Sequence, residues 1–219
     1  MTTPPLRAVV FDFDGVILES TEIKTRAFAD LFADRPEHRE AILRHHLENV
    51  GLSRYRKFEW IYRELFAEPL SDEASRQLGE RYSAIALEQV MACPMVPGAR
   101  QVLADLVGKL PAFVASGTPQ VELRQIVAER GLGPYFAEVH GAPRPKEAIL
   151  EDLLQRHRLA PREVVMVGDG MTDLRAAQAV GTRFVGRELG SVFAAEEVPR
   201  VADLVGLRPH LGLPPGEGP

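Results

Sequence analysis

The chain has 219 residues, 45% of them hydrophobic and 26% charged, an ordinary globular composition with room for one sizeable core and an insertion. Its 26 basic and 31 acidic residues leave a formal charge of −5, so it lacks the basic excess of a nucleic-acid binder. Cys93 is the only cysteine, which excludes an intrachain disulfide and a cysteine metal cluster, and no apolar run reaches the ~18 residues of a membrane span.

Residues 1–5 show no basic-then-apolar secretory pattern, so a reducing cytoplasm is the expected address. Residues 8–11 are a continuous apolar run leading into Asp12-Phe13-Asp14-Gly15-Val16. Such a run predicts a strand buried on both faces of a parallel sheet. Asp12 then stands at the strand's carboxyl end, where open α/β sheets bind ligands. Two carboxylates so close call for a cation or a positive side chain between them.

Residues 18–91 read as four helices with no strand among them. Ser20 and Thr21 cap the first, which carries Ile23, Ala27, Phe28, Leu31 and Phe32 at helical spacing. Pro36 and Glu37 open the second, and Gly51-Leu52-Ser53 interrupts the pattern. The third carries Phe58, Ile61, Leu65 and Phe66 and ends before Pro69, and the fourth starts at Ser71. His45 and His46 point about 100° apart on the second helix, so they are expected on a solvated face rather than on one metal.

From Pro97-Gly98 helices alternate with short apolar runs. Strands are expected at 112–115, 136–139, 164–167 and 183–185. Helices are expected around Val102–Leu106, after Pro119, from Lys146 to His157, and from a Thr172 cap to Gly181. Residues 141–145 are expected as loop and 213–219 as disordered. The alternation predicts an α/β fold, a parallel sheet with helices on both faces. The helical block interrupts it, giving a discontinuous core of residues 1–17 and 92–219 and a helical insertion of 18–91. Two adjacent linkers, near Leu18 and at 92–98, make a natural hinge for a lid.

Four stretches carry chemistry. Asp12 can attack phosphorus if a cation offsets the repulsion, and Asp14 can give and take a proton; the alternative is a pair of solvated turn carboxylates. Ser116-Gly117 follows a strand and precedes a helix, where a hydroxyl and free amides suit a phosphate oxygen; a plain cap by Ser116 or Thr118 is the alternative. Lys146 opens a helix against its dipole, which points to a job such as pairing with Asp12, and Arg144 is its less suitable substitute. Gly168-Asp169-Gly170-Met171-Thr172-Asp173 sets two carboxylates at a strand end and first turn, as a hard oxygen-ligated cation requires. A fifth stretch, residues 51–57, lies between helices of the insertion and is basic. Its Arg54 and Lys57 are either surface charge or contacts for a second anionic group of a substrate.

In their order and on these elements, the four stretches resemble the motifs of the haloacid dehalogenase superfamily over residues 6–205. The similarity is to its helical-cap phosphatase branch, that of phosphoglycolate phosphatases and β-phosphoglucomutases. The resemblance implies a Rossmann-like core with an inserted four-helix cap. It further implies Mg²⁺ held by Asp12, the Asp14 carbonyl and Asp169; a nucleophilic Asp12 and an acid/base Asp14; and phosphate bound by Ser116, Gly117 and Lys146. Asp173 is then expected to orient Lys146 or a metal-bound water, and Arg54 and Lys57 to reach the substrate from the cap loop. Asp14 separates the chain from the dehalogenases, which lack a carboxylate there. The expected activity is Mg²⁺-dependent hydrolysis of a small phosphorylated metabolite through an aspartyl-phosphate, by a monomer or small homo-oligomer without nucleic-acid or membrane partners. A phosphomutase and a non-catalytic phospho-ligand binder are the alternatives.

Overall fold

A computed structural model of the chain describes residues 4–214. Six parallel strands form one sheet in the order β3-β2-β1-β4-β5-β6. They are β1 (Ala8–Phe11), β2 (Ala112–Pro119), β3 (Glu138–Ala142), β4 (Val164–Gly168), β5 (Arg183–Arg187) and β6 (Arg200–Val201). The chain runs outward from β1 through β2 to β3, then returns to the other side of β1 for β4. The strand order therefore reverses beside β1, and such a reversal opens a crevice at the carboxyl ends of the strands.

Both faces of the sheet are covered. Val9, Phe11, Val114, Val165 and Val167 face one helical layer, which includes Val102, Leu103 and Leu123. Ala8, Val10, Phe113 and Met166 face the other, with Ile149, Leu153 and Leu174. The alternation along β1 follows from the period of two of an extended strand, and coverage on both sides explains why the run is apolar throughout.

Between β1 and β2 lie α1 (Thr21–Leu31), α2 (Arg39–Glu48), α3 (Arg54–Trp60), α4 (Asp72–Ala92) and α5 (Ala99–Leu106); the remaining helices are α6 (Gln120–Glu129), α7 (Lys146–His157), α8 (Met171–Val180) and α9 (Leu204–Leu207). Helices α1–α4 bury their own cluster, built on Phe28, Leu31, Phe58, Ile61 and Tyr82. The two chain segments that join these helices to the sheet are hydrogen-bonded side by side: Val96 N donates to Ile17 O (3.0 Å) and Glu19 N to Pro94 O (3.0 Å).

Several elements differ from the expectation. Strand β3 starts at Glu138, not at residue 136, because an edge strand is only half buried and its outer positions need no apolar side chain. Gly141 and Ala142, expected in a loop, belong to it. The third helix of the insertion starts at Arg54 and passes into a π-helical stretch, Ile61–Phe66, that ends on Ala67 at φ 51. Leu213, expected to be disordered, is packed in the core, and Arg208 Nε donates to Pro214 O at 2.7 Å; residues 215–219, like 1–3, lie outside the described residues. The short β6 and α9 carry no periodicity that a sequence could reveal.

Candidate functional site

The site is built at the carboxyl ends of β1, β2 and β4, where the strand order reverses. Asp12 continues β1, its N–H donating to Val167 O at 2.8 Å, and its side chain is buried. One carboxylate oxygen accepts the Phe13 N–H at 2.7 Å; the other meets Lys146 Nζ at 2.8 Å. Lys146, in the first turn of α7, also donates to Asp173 Oδ1 at 2.5 Å. The second oxygen of Asp173 accepts the Gly170 N–H at 3.1 Å and so caps α8, a task expected of Thr172. Thr172 instead donates to Val50 O at 2.5 Å.

Asp169 follows β4. Its Oδ2 accepts from Thr21 Oγ1 at 3.1 Å, and its Oδ1 is buried with no hydrogen-bond partner among the described residues. Carboxylate oxygens of Asp12, Asp169 and Asp173 lie within 4.8 Å of one another. Three buried carboxylates faced by one lysine leave an excess of negative charge that a hard dication would balance, and the orphaned Asp169 oxygen gives it a ligand. The residues present therefore fit a divalent metal. Gly15 is required beside them: its φ is +70°, and a Cβ there would collide with the Asp169 carboxylate.

The electrostatics follow from burial. Desolvation pushes Asp12 up to about 7 against the pull of Lys146, with Asp173 and Asp14 adding to the rise. Desolvation and the neighbouring Asp12 and Asp173 raise Asp169 well above the ordinary aspartate range. Burial opposes the charge on Asp14 too, yet Lys24, with the hydroxyls of Ser20 and Thr118, outweighs it and the carboxyl lies below its usual value. Asp14 turns away from the carboxylate cluster: Oδ1 accepts from Ser20 Oγ (2.7 Å), and Oδ2 accepts from Lys24 Nζ (2.5 Å) and Thr118 Oγ1 (2.7 Å). Ser20 thus serves Asp14 and makes no side-chain cap for α1.

Ser116 and Gly117 lie in the bulged end of β2, where Ser116 Oγ accepts the Thr118 N–H at 3.1 Å. Residues 50–52 enter from the helical layer and wedge between this turn and the start of α8. A Cβ on Gly117 would collide with the Gly51 carbonyl, and one on Gly51, whose φ is +84°, would collide with Thr172. On one side of the wedge is a cavity of about 50 Å³ lined by Asp12, Asp14, Lys24, Phe28, Lys57 and Tyr82. On the other is a cavity of about 310 Å³ reached by Ser116, Gly117, Lys146, Arg144 and Arg56.

The basic stretch differs most from the expectation. Arg54 and Lys57 are neither loop nor surface but buried residues of α3. Arg54 pairs with Glu122 of α6 (2.6 Å). Lys57 Nζ sits 3.2 Å from His46 Nδ1 and 5.4 Å from the centre of the Phe28 ring, with no carboxylate partner among the described residues. Burial lowers Lys57 to about 7, helped by Lys24. His46, expected on a solvated face, is buried against Phe28, and His45 stacks on Trp60. Burial and the adjacent Lys57 lower His46 to about 2, so it is neutral.

Lys24 and Glu122 had no site role expected from the sequence, and Thr21 and Thr118 were expected only as helix caps. The signal for Lys24 was present: like Lys146, it is a lysine in the first turn of a helix, against the dipole.

The model of the haloacid dehalogenase-like hydrolases matches residues 6–181, most of the chain. The chain belongs to the haloacid dehalogenase-like hydrolases. Within that family it is similar to a curated phosphoglycolate phosphatase from Yersinia pseudotuberculosis, 27% identical over 95% of this chain and 94% of the relative. Two solved structures share the fold. A hydrolase from Pseudomonas syringae superposes with a TM-score of 0.74 at 18% identity, covering 94% of this chain and 98% of that one. CbbY from Rhodobacter sphaeroides, in complex with phosphate, gives 0.72 at 19% identity, covering 92% and 96%. No helix of this hydrolase is long and apolar enough to cross a membrane, among the described residues.

The raised Asp12 makes a prediction for this hydrolase. In the fold Asp12 keeps its proton up to about 7, whereas the unfolded chain releases it at about 3.9. Between those values the folded metal-free state binds more protons, so this group's contribution to stability falls as pH rises, and a cation that displaces the proton gains affinity over the same window. The difference in melting temperature between Mg²⁺-saturated and chelator-treated protein is expected to widen as pH rises from about 5 to about 7. A difference independent of pH across that range would contradict the assignment.

Proposed function

We propose that the enzyme is a Mg²⁺-dependent phosphatase that hydrolyses a small phosphorylated metabolite through an aspartyl-phosphate on Asp12. The carrying observation is the buried Asp12 carboxylate at the β1/β4 reversal, 2.8 Å from Lys146 and grouped with Asp169 and Asp173. Asp12, Asp169 and the Asp14 carbonyl would hold Mg²⁺, which when bound draws in the phosphate oxygens and offsets their repulsion from Asp12. Ser116 Oγ and the Gly117 amide donate to the phosphate, and Lys146, held by Asp173, pairs with both the phosphate and Asp12.

Asp12 attacks phosphorus and the bond to the leaving oxygen breaks, with Asp14 giving that oxygen its proton. Water then attacks phosphorus, Asp14 takes its proton, and phosphate and a free Asp12 result. Ionised by Lys24, Asp14 is set here for the second half of this cycle. Acting as an acid requires Asp14 to take up a proton first, which the approach of the phosphate's negative charge would favour. Residues 18–91 act as the cap and the paired linkers at 17–19 and 94–96 as its hinge, the 50–52 wedge being the part that seals the site. The small cavity left beneath it fits a compact substrate, and the lone thiol of Cys93 fits a cytoplasmic address.

The relative's name makes phosphoglycolate the first substrate to try, and Lys57 the side chain to meet its carboxylate, whose negative charge would favour the ammonium form that burial disfavours. Phosphate release with phosphoglycolate, other small phospho-acids, a sugar monophosphate and an aryl phosphate, with and without Mg²⁺, tests the reading. Release of phosphate only with Mg²⁺ supports it. No release from any, or isomerisation of a sugar phosphate without free phosphate, would overturn it. Lys57→Met is expected to lower kcat/KM for phosphoglycolate by about tenfold to a hundredfold, the worth of a lost charge-assisted contact of ~1.5–3 kcal/mol. Ethyl phosphate, which has no second anion, should lose far less; equal losses would show that Lys57 merely packs. Arg54→Ala should instead affect both substrates alike, because Arg54 ties α3 to α6.

A further inference from the structure

Arg54 and Glu122 form a closed ion pair across the seam between the helical layer and the sheet domain. Arg54 Nη2 meets Glu122 Oε1 at 2.6 Å, and Nη1 meets Oε2 at 3.0 Å. Ser83 of α4 joins both, accepting from Arg54 Nη1 at 2.6 Å and donating to Glu122 Oε2 at 2.6 Å. The guanidinium lies 4.4 Å from the centre of the Tyr82 ring. The two side chains are only 5% and 13% exposed. Glu122 stands in the first turn of α6, directly after the phosphate-facing 116–118 turn.

Lys24 is likewise paired, with Asp14. Of the cations lining the cavity beside Asp12, Lys57 alone has no carboxylate partner among the described residues. We infer that Glu122 is a specificity-determining residue: by neutralising Arg54 it leaves Lys57 as the cavity's single available cation and closes the enzyme to substrates that carry a second phosphate. A second phosphate brings up to two negative charges against one lysine. To recruit Arg54 it would have to break a buried pair, strand the Glu122 carboxylate without a partner, and face that carboxylate itself. A single carboxylate on the leaving group needs only Lys57. The inference rests on the phosphatase reading and narrows it to phosphomonoesters with at most one further negative charge.

Three two-carbon substrates test it: phosphoglycolate, ethane-1,2-diol bisphosphate, and ethyl phosphate as the reference. The unmodified enzyme is expected to favour phosphoglycolate over the bisphosphate by about tenfold or more in kcat/KM. In Glu122→Gln, which keeps the shape but frees the charge of Arg54, the ratio of bisphosphate to ethyl phosphate should rise by about tenfold, carried by KM. In the double variant Arg54→Met with Glu122→Leu that rise should vanish. Equal use of bisphosphate and phosphoglycolate by the unmodified enzyme would overturn the inference, whether or not any variant folds. So would an unmoved ratio in Glu122→Gln, or a rise that persists in the double variant. Failure to release phosphate even from ethyl phosphate in Mg²⁺ would instead strike at the phosphatase reading.

Discussion

Asp12→Asn is expected to abolish turnover, by about 10⁴-fold or more, while leaving the fold intact. The amide has the shape of the carboxylate and keeps an oxygen for the Phe13 N–H, but it has no charge and no free lone pair on its nitrogen with which to attack phosphorus. Lys146 loses one partner and retains Asp173 at 2.5 Å. The substitution also removes a charge that burial opposes, so the metal-free variant should melt no lower than the parent. Phosphate release under substrate saturation and a thermal melt check both halves. More than a few percent of residual activity would remove Asp12 from the nucleophile's role.

The second large effect is loss of the metal. Chelator should reduce phosphate release to background and Mg²⁺ should restore it. Asp169→Ala should weaken Mg²⁺ binding by about a hundredfold or more, because its carboxylate has a buried oxygen with no partner among the described residues. Asp173→Ala should behave differently. Both Asp173 oxygens are engaged, one by Lys146 and one by the Gly170 amide, so its loss should fall on kcat through a misplaced Lys146 and less on Mg²⁺ affinity. Calorimetry of Mg²⁺ binding to substrate-free protein separates the two variants. Full activity in excess chelator would contradict the mechanism.

The parts of the fold that were legible in the sequence are those buried on both sides. Residues 8–11 and 164–167 are continuous apolar runs because helices cover both faces of the sheet, and α7 was readable from Lys146 to His157 through its spaced Ile149, Leu150 and Leu153. Strand β3 was misplaced by two residues because Glu138 and His140 sit at an edge, where burial no longer dictates residue type. The positions of Asp12, Lys146 and Asp169 could be read because each follows a strand or opens a helix, and the backbone then places the side chain.

Arg54, Lys57 and His46 could not be placed in this way. A charged residue on a helix is normally solvated. What buries His46 and Lys57 is packing among α1, α2 and α3 around Phe28, and what buries Arg54 is the contact of α3 with α4 and α6, pairings distant in sequence that local periodicity does not encode. Glu122 illustrates the same limit. Its partner Arg54 is 68 residues away, and an acidic residue in the first turn of a helix has a sufficient local explanation in the dipole.

The most direct test of the account is to catch phosphorus on Asp12. Enzyme mixed with substrate and Mg²⁺, quenched in acid during the first turnover and digested, should yield a peptide containing Asp12 that carries an acyl phosphate labile to hydroxylamine. The adduct should form no more slowly than phosphate is released and should be absent from Asp12→Asn. Phosphate released with no acyl phosphate at any time point, or an acyl phosphate on Asp14 or Asp169 instead, would contradict it.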